Sequence, residues 1–258
     1  KQDRTALAFA PDKALSADIM QAFLWKYTSG GSENMPVKSS ATHLMRLAEK
    51  KDMLLQDEMP FTIADKEEYD ASGFSGTDVR TGIAYHAFLE NVPFDKLIEG
   101  GKRISLERLK ALVLEVKEKV KEQLGLDAEL LVEDKMMEIL QNGIFYRLQG
   151  SQLLKEQRFL ASIKVKDTPL YFEGAQSAAS GEDEIVFQGA LDLLAVKGDE
   201  AWVVDYKYSI KDAQRLKTDY AVQLRLYQKA VSKILKFPIE RVHATIVNIY
   251  RGFEVEMF

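Results

Sequence analysis

The chain has 258 residues, 46% of them hydrophobic and 29% charged, with a formal net charge of −5. That is enough apolar material for one large core, or a core with an appendage, and the mildly negative balance argues against a uniformly basic nucleic-acid binder. Cysteine is absent, which excludes disulfides, thiolate zinc sites, iron–sulfur clusters and a cysteine nucleophile, and fits a reducing compartment.

The chain opens KQDRTALAFAPDK. It has no initiator Met and no long apolar stretch of the signal-peptide kind, as expected of a piece of a longer polypeptide. No run of about 18 apolar residues offers a membrane span. Leu15, Ile19, Phe23 and Tyr27 recur at i, i+4 and predict a helix over 15–28. SGGSEN at 29–34 reads as a turn, and 39–50 as a second short helix with Ser39 or Ser40 as N-cap. The acidic stretch 52–70 and ASGFSGT at 71–77 read as a loop. A helix is predicted over roughly 79–91, before Pro93.

Residues 105–124 form the clearest helix. Ser105 is the N-cap candidate, Leu106, Leu109, Val113, Val116, Val120 and Leu124 make the apolar stripe, and Gly125 sits where a helix stops. One or two further helices are predicted over 127–148, interrupted near Asn142-Gly143, with Met136-Met137 in the core. The character then changes near residue 157. RFLASIKV reads as a strand, GAQSAASGEDE at 174–184 as a loop, and IVFQGALDLLAV at 185–196 as a strand. KGDE at 197–200 is a tight turn, and AWVVDYKY resumes as strand, so the pair reads as a hairpin. A helix over 219–235 and a final strand over 241–250 complete the order. Helices followed by strand, hairpin, helix and strand imply an α/β fold: a mixed sheet with one crossover helix and a helical N-terminal part.

The chemistry gathers around VVDYKYS at 203–209. Asp205 and Lys207, at i and i+2, point to the same side of a strand. Asp192 ends QGALD on the preceding strand and reaches the neighbourhood of Asp205 across the turn. Two carboxylates on adjacent strands form a partial cage for a hard cation such as Mg²⁺, which a nearby lysine complements by holding a water or a phosphate. An isolated D-x-K is most often a surface ion pair, so the neighbouring elements decide. His86 and Glu90 share a helix face at i, i+4, and His86 can add a nitrogen ligand. Gln223 and Tyr227 share another face, on the helix over 219–235, within a locally basic segment that includes Lys211, Arg215, Lys217, Arg225 and Lys229 and suits a nucleic-acid backbone. His43, His243, Trp25 and Trp202 read as packing residues.

Taken in order, G-x-x-x-H (Gly82 to His86), G-x-x-D (Gly189 to Asp192), D-Y-K (Asp205 to Lys207) and Q-x-x-x-Y (Gln223 to Tyr227) resemble the RecB-like branch of the PD-(D/E)XK nucleases. Within it the resemblance is closest to the C-terminal nuclease domain of the AddA type, which belongs to bacterial ATP-dependent helicase–nucleases. FLWKY at 23–27, PVKSSATHLMR at 36–46 and LLKEQRF at 153–159 are similar to upstream stretches of that domain.

The resemblance implies a restriction-endonuclease-like mixed sheet flanked by helices, with a helical lead-in over 1–78 packed on a nuclease core over 79–258. It implies a Mg²⁺-dependent deoxyribonuclease, with Mn²⁺ as a substitute. His86, Asp192, Asp205 and the Tyr206 carbonyl would be metal ligands, Lys207 the catalytic lysine, and Gln223 and Tyr227 the accessory motif. Glu156 and Glu90 are weaker candidates. The family usually has Thr or Ser after the lysine; here it is Tyr208. No G-x-x-x-x-G-K-[ST] is present, so ATP hydrolysis would belong to helicase domains upstream in the same polypeptide. The absence of cysteine matches the AddA type rather than partner proteins that carry an iron–sulfur cluster. The expected setting is the bacterial cytoplasm, with single DNA strands from a helicase as substrate. A second helicase–nuclease polypeptide is the expected partner, and double-strand-break repair the expected process. The alternatives are a non-catalytic DNA-binding module on this fold and a stand-alone RecB-like exonuclease.

Overall fold

The computed structural model describes residues 38–40, 76–164, 166 and 184–258. The predicted helix over 15–28, the turn at 29–34, the acidic stretch and residues 174–183 of the predicted loop lie outside the described residues, as do His43 and Trp25. Residues 39 and 40, expected to open a helix, instead belong to a short strand, β1 (Lys38–Ser40). The loop expected over 71–77 is already helical at Gly76, the first residue of α1 (Gly76–Asn91).

Helix α1 buries Ala84, Tyr85, Phe88 and Leu89 and leaves Glu90 exposed. Strands β2 (Ile98–Glu99) and β3 (Lys102–Arg103) form a small separate ribbon after it. Helix α2 (Leu106–Leu124) is capped as its sequence requires: the Ser105 hydroxyl accepts from the Arg108 amide at 3.3 Å, and Gly125 follows with φ +58°. Its buried stripe is Leu109, Leu112, Val113, Val116 and Val120. Leu106, predicted to join it, is instead 69% exposed. Helices α3 (Glu133–Leu140) and α4 (Gly143–Arg147) are separated at Asn142 as predicted, and Met136 is fully buried.

The remaining strands are β4 (Gln152–Lys164), β5 (Glu184–Lys197), β6 (Glu200–Lys207), β7 (Val242–Asn248) and β8 (Phe253–Glu256). Helix α5 (Ala213–Leu235) begins six residues before its predicted start, capped by Asp212, whose carboxylate accepts from the Arg215 amide at 2.8 Å. The strand expected to be last is followed by β8, a short strand paired antiparallel to β7. The mixed sheet runs β1-β5-β6-β7-β8, with β4 along the other edge of β5. Strands β5 and β6 form the hairpin, turned by Gly198 at φ +61°, and β6 and β7 are parallel across the α5 crossover.

One face of the sheet packs Leu193, Ala195, Val204 and Tyr206 against α1 to α4; the other packs Phe187, Leu194, Val203 and Ile246 against α5. Two strands change phase between these cores. On β5, Leu191 belongs to the α5 core while Leu193 belongs to the helical core. On β4, Leu153 packs with the helical core and Phe159 with the α5 core. Strict alternation would keep each of these pairs on one face. The phase changes bracket Glu156 and Asp192, which stand opposite each other between the pairs Lys155↔Leu193 and Gln157↔Leu191.

Lys155, at the start of β4, ties α1 to the sheet. Its ammonium donates to the carbonyls of Glu90, at 2.9 Å, and Val92, and lies 4.8 Å from the centroid of the Phe94 ring. A cation on the last carbonyls of a helix satisfies acceptors that have no partner within it. Replacing Lys155 with Met keeps the apolar stem and leaves those carbonyls unpaired. The expected loss is about 2 kcal/mol in urea unfolding, with Lys155→Arg closer to wild type.

Candidate active site

The β5–β6 ladder runs from Lys197↔Glu200 to Leu193↔Val204 and ends there. One step further, Asp192 faces Asp205. The ladder bond is replaced by a side chain: Asp192 Oδ2 accepts from the Tyr206 amide at 2.7 Å. Strand β6 meanwhile stays paired with β7 through Lys207↔Asn248. The two strands therefore part at the two acids, while β6 remains held from its far side.

Glu156 approaches Asp192 from β4 with φ +48°, in the left-handed region that a side chain disfavours. Helix α1 brings His86, whose Nδ1 lies 3.7 Å from Asp192 Oδ1. Ligand atoms of His86, Glu156 and Asp192 all fall within 4.8 Å of one another. The His86 ring also packs edge-on to Tyr206, with centroids 5.7 Å apart. One imidazole nitrogen with carboxylate oxygens is a donor set suited to a small divalent cation.

Burial pushes His86 down to about 4, and the Lys207 ammonium adds to the shift. The imidazole is thus neutral at physiological pH, the form that ligates a metal. Burial raises Asp205 to about 6, Lys207 opposing and Asp192 adding. Burial alone would lower Lys207, but Asp205, with Tyr220 and Asp192 behind it, holds the ammonium above the ordinary lysine range. Lys207 Nζ is 3.2 Å from Asp205 Oδ2, and among the described residues no other donor reaches that buried oxygen. One ammonium leaves a buried carboxylate short of partners, and a cation shared with Asp192 would supply another.

Asp205 and Lys207 point to the α5 face. There the Tyr220 ring lies 4.7 Å from Lys207 Nζ, and Gln223 donates from Nε2 to the Tyr227 hydroxyl at 3.2 Å. Gln223 Oε1 is buried without a hydrogen-bond partner among the described residues. The Tyr227 ring rests on β5 at Gly189. A Cβ at that position would lie 2.8 Å from Phe159 ring carbons and 3.0 Å from a Tyr227 ring carbon. The glycine three residues before Asp192 is therefore the seat of the tyrosine four residues after Gln223, and the two motifs are halves of one contact.

A family model described as the PD-(D/E)XK nuclease superfamily matches residues 64–255. The chain belongs to the PD-(D/E)XK nuclease superfamily. It is also similar to proteins named as the A subunits of ATP-dependent helicase/nucleases. That of Syntrophomonas wolfei is 22% identical over 94% of this chain and 19% of its own length. Those of Desulforamulus reducens and Carboxydothermus hydrogenoformans are 24% and 25% identical over 89% and 86% of this chain, and 18% of their own lengths. The chain spans about a fifth of the length of these relatives.

Within this PD-(D/E)XK fold, His86, Glu156, Asp192, Asp205, Tyr206, Lys207, Gln223 and Tyr227 come together. Glu156, ranked low from sequence, lies in the cluster, whereas Glu90 is exposed and contributes its backbone carbonyl to Lys155. The basic residues separate into groups. Lys211 and Arg215 share Asp219, at 2.8 and 3.5 Å, near the site. Arg225 donates to Gln228 and lies over the Phe258 ring; Lys217 is exposed and Lys229 half-buried. His243 stacks on Trp202 at 5.2 Å, away from the cluster. Sequence reading missed Tyr220 and the seat at Gly189. An aromatic one turn before Gln223 signalled the first; the second required the packing.

Two substitutions test this geometry. Gly189→Ala is expected to destabilise by about 1–3 kcal/mol, since its methyl group meets two rings, and to alter near-ultraviolet tyrosine dichroism. Glu156→Gly is expected to unfold at higher urea than Glu156→Ala, by about 1 kcal/mol, because glycine accepts the left-handed backbone.

Proposed function

We propose that this domain is a divalent-metal-dependent deoxyribonuclease, the nuclease part of a helicase–nuclease of the AddA type. The carrying observation is the convergence of His86, Glu156 and Asp192 beside the buried Asp205–Lys207 pair. His86, Asp192 and Asp205, with the Tyr206 carbonyl, would hold Mg²⁺ or Mn²⁺, and Glu156 joins them directly or through water. A bound cation supplies Lewis acidity toward the phosphate and makes a water easier to deprotonate.

The chain's own residues do the rest. Lys207, kept charged, donates to a phosphate oxygen or to the attacking water and offsets the charge that develops on phosphorus. Asp205 keeps that ammonium on the β6 side of the site. The open Gln223 Oε1 accepts a hydrogen bond from Lys207 or from water, and Tyr227 fixes the amide. Lys211 and Arg215 attract the sugar–phosphate backbone without reading sequence, which suits single strands delivered by a helicase. The motor, the partner polypeptide, the role in recombinational repair and the cytoplasmic setting are carried over from the relatives' names and the family. Among the described residues, no helix is long and apolar enough to cross a membrane.

The test is cleavage of end-labelled linear DNA, single- and double-stranded, with Mg²⁺ or Mn²⁺. Lys207→Ala and Asp192→Ala should each lower the rate at least about 100-fold, and EDTA should abolish it. Calorimetry with Mn²⁺ should lose its signal in Asp192→Ala but keep it in Lys207→Ala. A wild-type chain that neither cuts nor binds metal would falsify the reading.

A further inference from the structure

Tyr208 stands immediately after Lys207, where related nucleases usually carry a small hydroxyl residue. Its ring stacks on Tyr85 of α1, with centroids 5.9 Å apart and planes 16° from parallel. Its other neighbour is Tyr250, 5.4 Å away and edge-on at 85°. Tyr85 is buried, while Tyr250 is 45% exposed. The three rings make a ramp from the core beside His86 to the surface.

The ramp is held against the site. The Ile249 amide donates to the Lys207 carbonyl at 2.8 Å, which fixes the turn carrying Tyr250 to the end of β6. Asn248, fully buried, donates to the Lys211 carbonyl and accepts from the Arg251 amide, each at 3.1 Å. One side chain therefore joins a loop bearing Lys211 to a turn bearing Tyr250 and Arg251. Ile210, 42% exposed, lies between Tyr208 and Lys211 in the same loop. Arg251 follows Tyr250 in the turn, and Lys211, paired with Asp219 at 2.8 Å, lies in the loop that Asn248 ties to it; exposed aromatic area in this setting complements a strand with flat apolar bases on a charged backbone.

We propose that Tyr250 and Tyr208 form a stacking subsite for one base of a single-stranded nucleic acid whose backbone passes Lys211 and Arg251 on its way to Lys207. The inference rests on the nuclease reading for the direction of the strand, but base stacking itself needs neither metal nor cleavage. A duplex keeps its bases stacked on one another, so the subsite selects for unpaired strands.

The experiment is fluorescence anisotropy in EDTA, with a labelled oligothymidylate and an abasic strand of the same length and charge. Wild type should bind the base-bearing strand more tightly. Tyr250→Ala should weaken that binding about tenfold and leave the abasic strand unchanged, while Tyr250→Trp retains the preference. Equal loss on both strands, no loss on either, or no binding by wild type would each overturn the subsite. Failure of the nuclease reading would appear separately, as base-dependent binding without metal-dependent cutting.

Discussion

The structure depends on a fault in alternation. A two-faced sheet normally keeps every second residue on one face, and a slip moves a whole apolar set into solvent. Strands β4 and β5 change phase together, so each side of the change still meets a core. The cost is concentrated at Glu156, in a backbone conformation that side chains avoid. In return, Glu156 and Asp192 leave the regular ladder, and their carboxylates become available to groups from both faces: His86 from α1, and Lys207 with Tyr227 on the α5 side. Strain localised beside converging titratable groups is a common mark of a functional site.

The α5 side is set by a second constraint, the absence of a side chain at Gly189. That gap lets the Tyr227 ring lie on β5 with Phe159 edge-on to it at 5.5 Å. Tyr227 then holds Gln223, and Tyr220 one turn earlier lies beside Lys207. A small residue on one strand thus determines how close a whole helix comes to Lys207. Lys155 does the corresponding work for α1, anchoring the end of the helix that carries His86.

Much of this was legible in the sequence where the cause is local. The Ser105 cap, the Gly125 stop, the break at Asn142-Gly143 and the Lys-Gly-Asp turn are each dictated by neighbours in the chain, and they stand where the pattern put them. The D-x-K pair was legible for the same reason, since a strand places i and i+2 together. What escaped depended on distant partners. Strand β8 is four residues long and exists because β7 offers an edge. Ser39 and Ser40 suit a helix cap, yet they pair with Phe187 and Gln188 of β5. Leu106 fits its stripe by spacing, yet among the described residues it stays 69% exposed. Glu156 was ranked too low, because the phase change that turns it toward Asp192 is a property of two strands.

The parallel pairing of β6 with β7 also has a bearing on folding. Asp205 and Lys207 sit on a strand whose outer neighbour arrives only after the whole of α5, and His86 lies more than 100 residues from either. Closing such separations is entropically expensive and slow relative to forming the hairpin or α2. The hairpin therefore brings Asp192, Asp205 and Lys207 near one another early, while His86, α5 and β7 close around them among the last events of folding. A chain still emerging from the ribosome holds the hairpin without its partner strand, so Asp205 and Lys207 are present before the neighbours that enclose them.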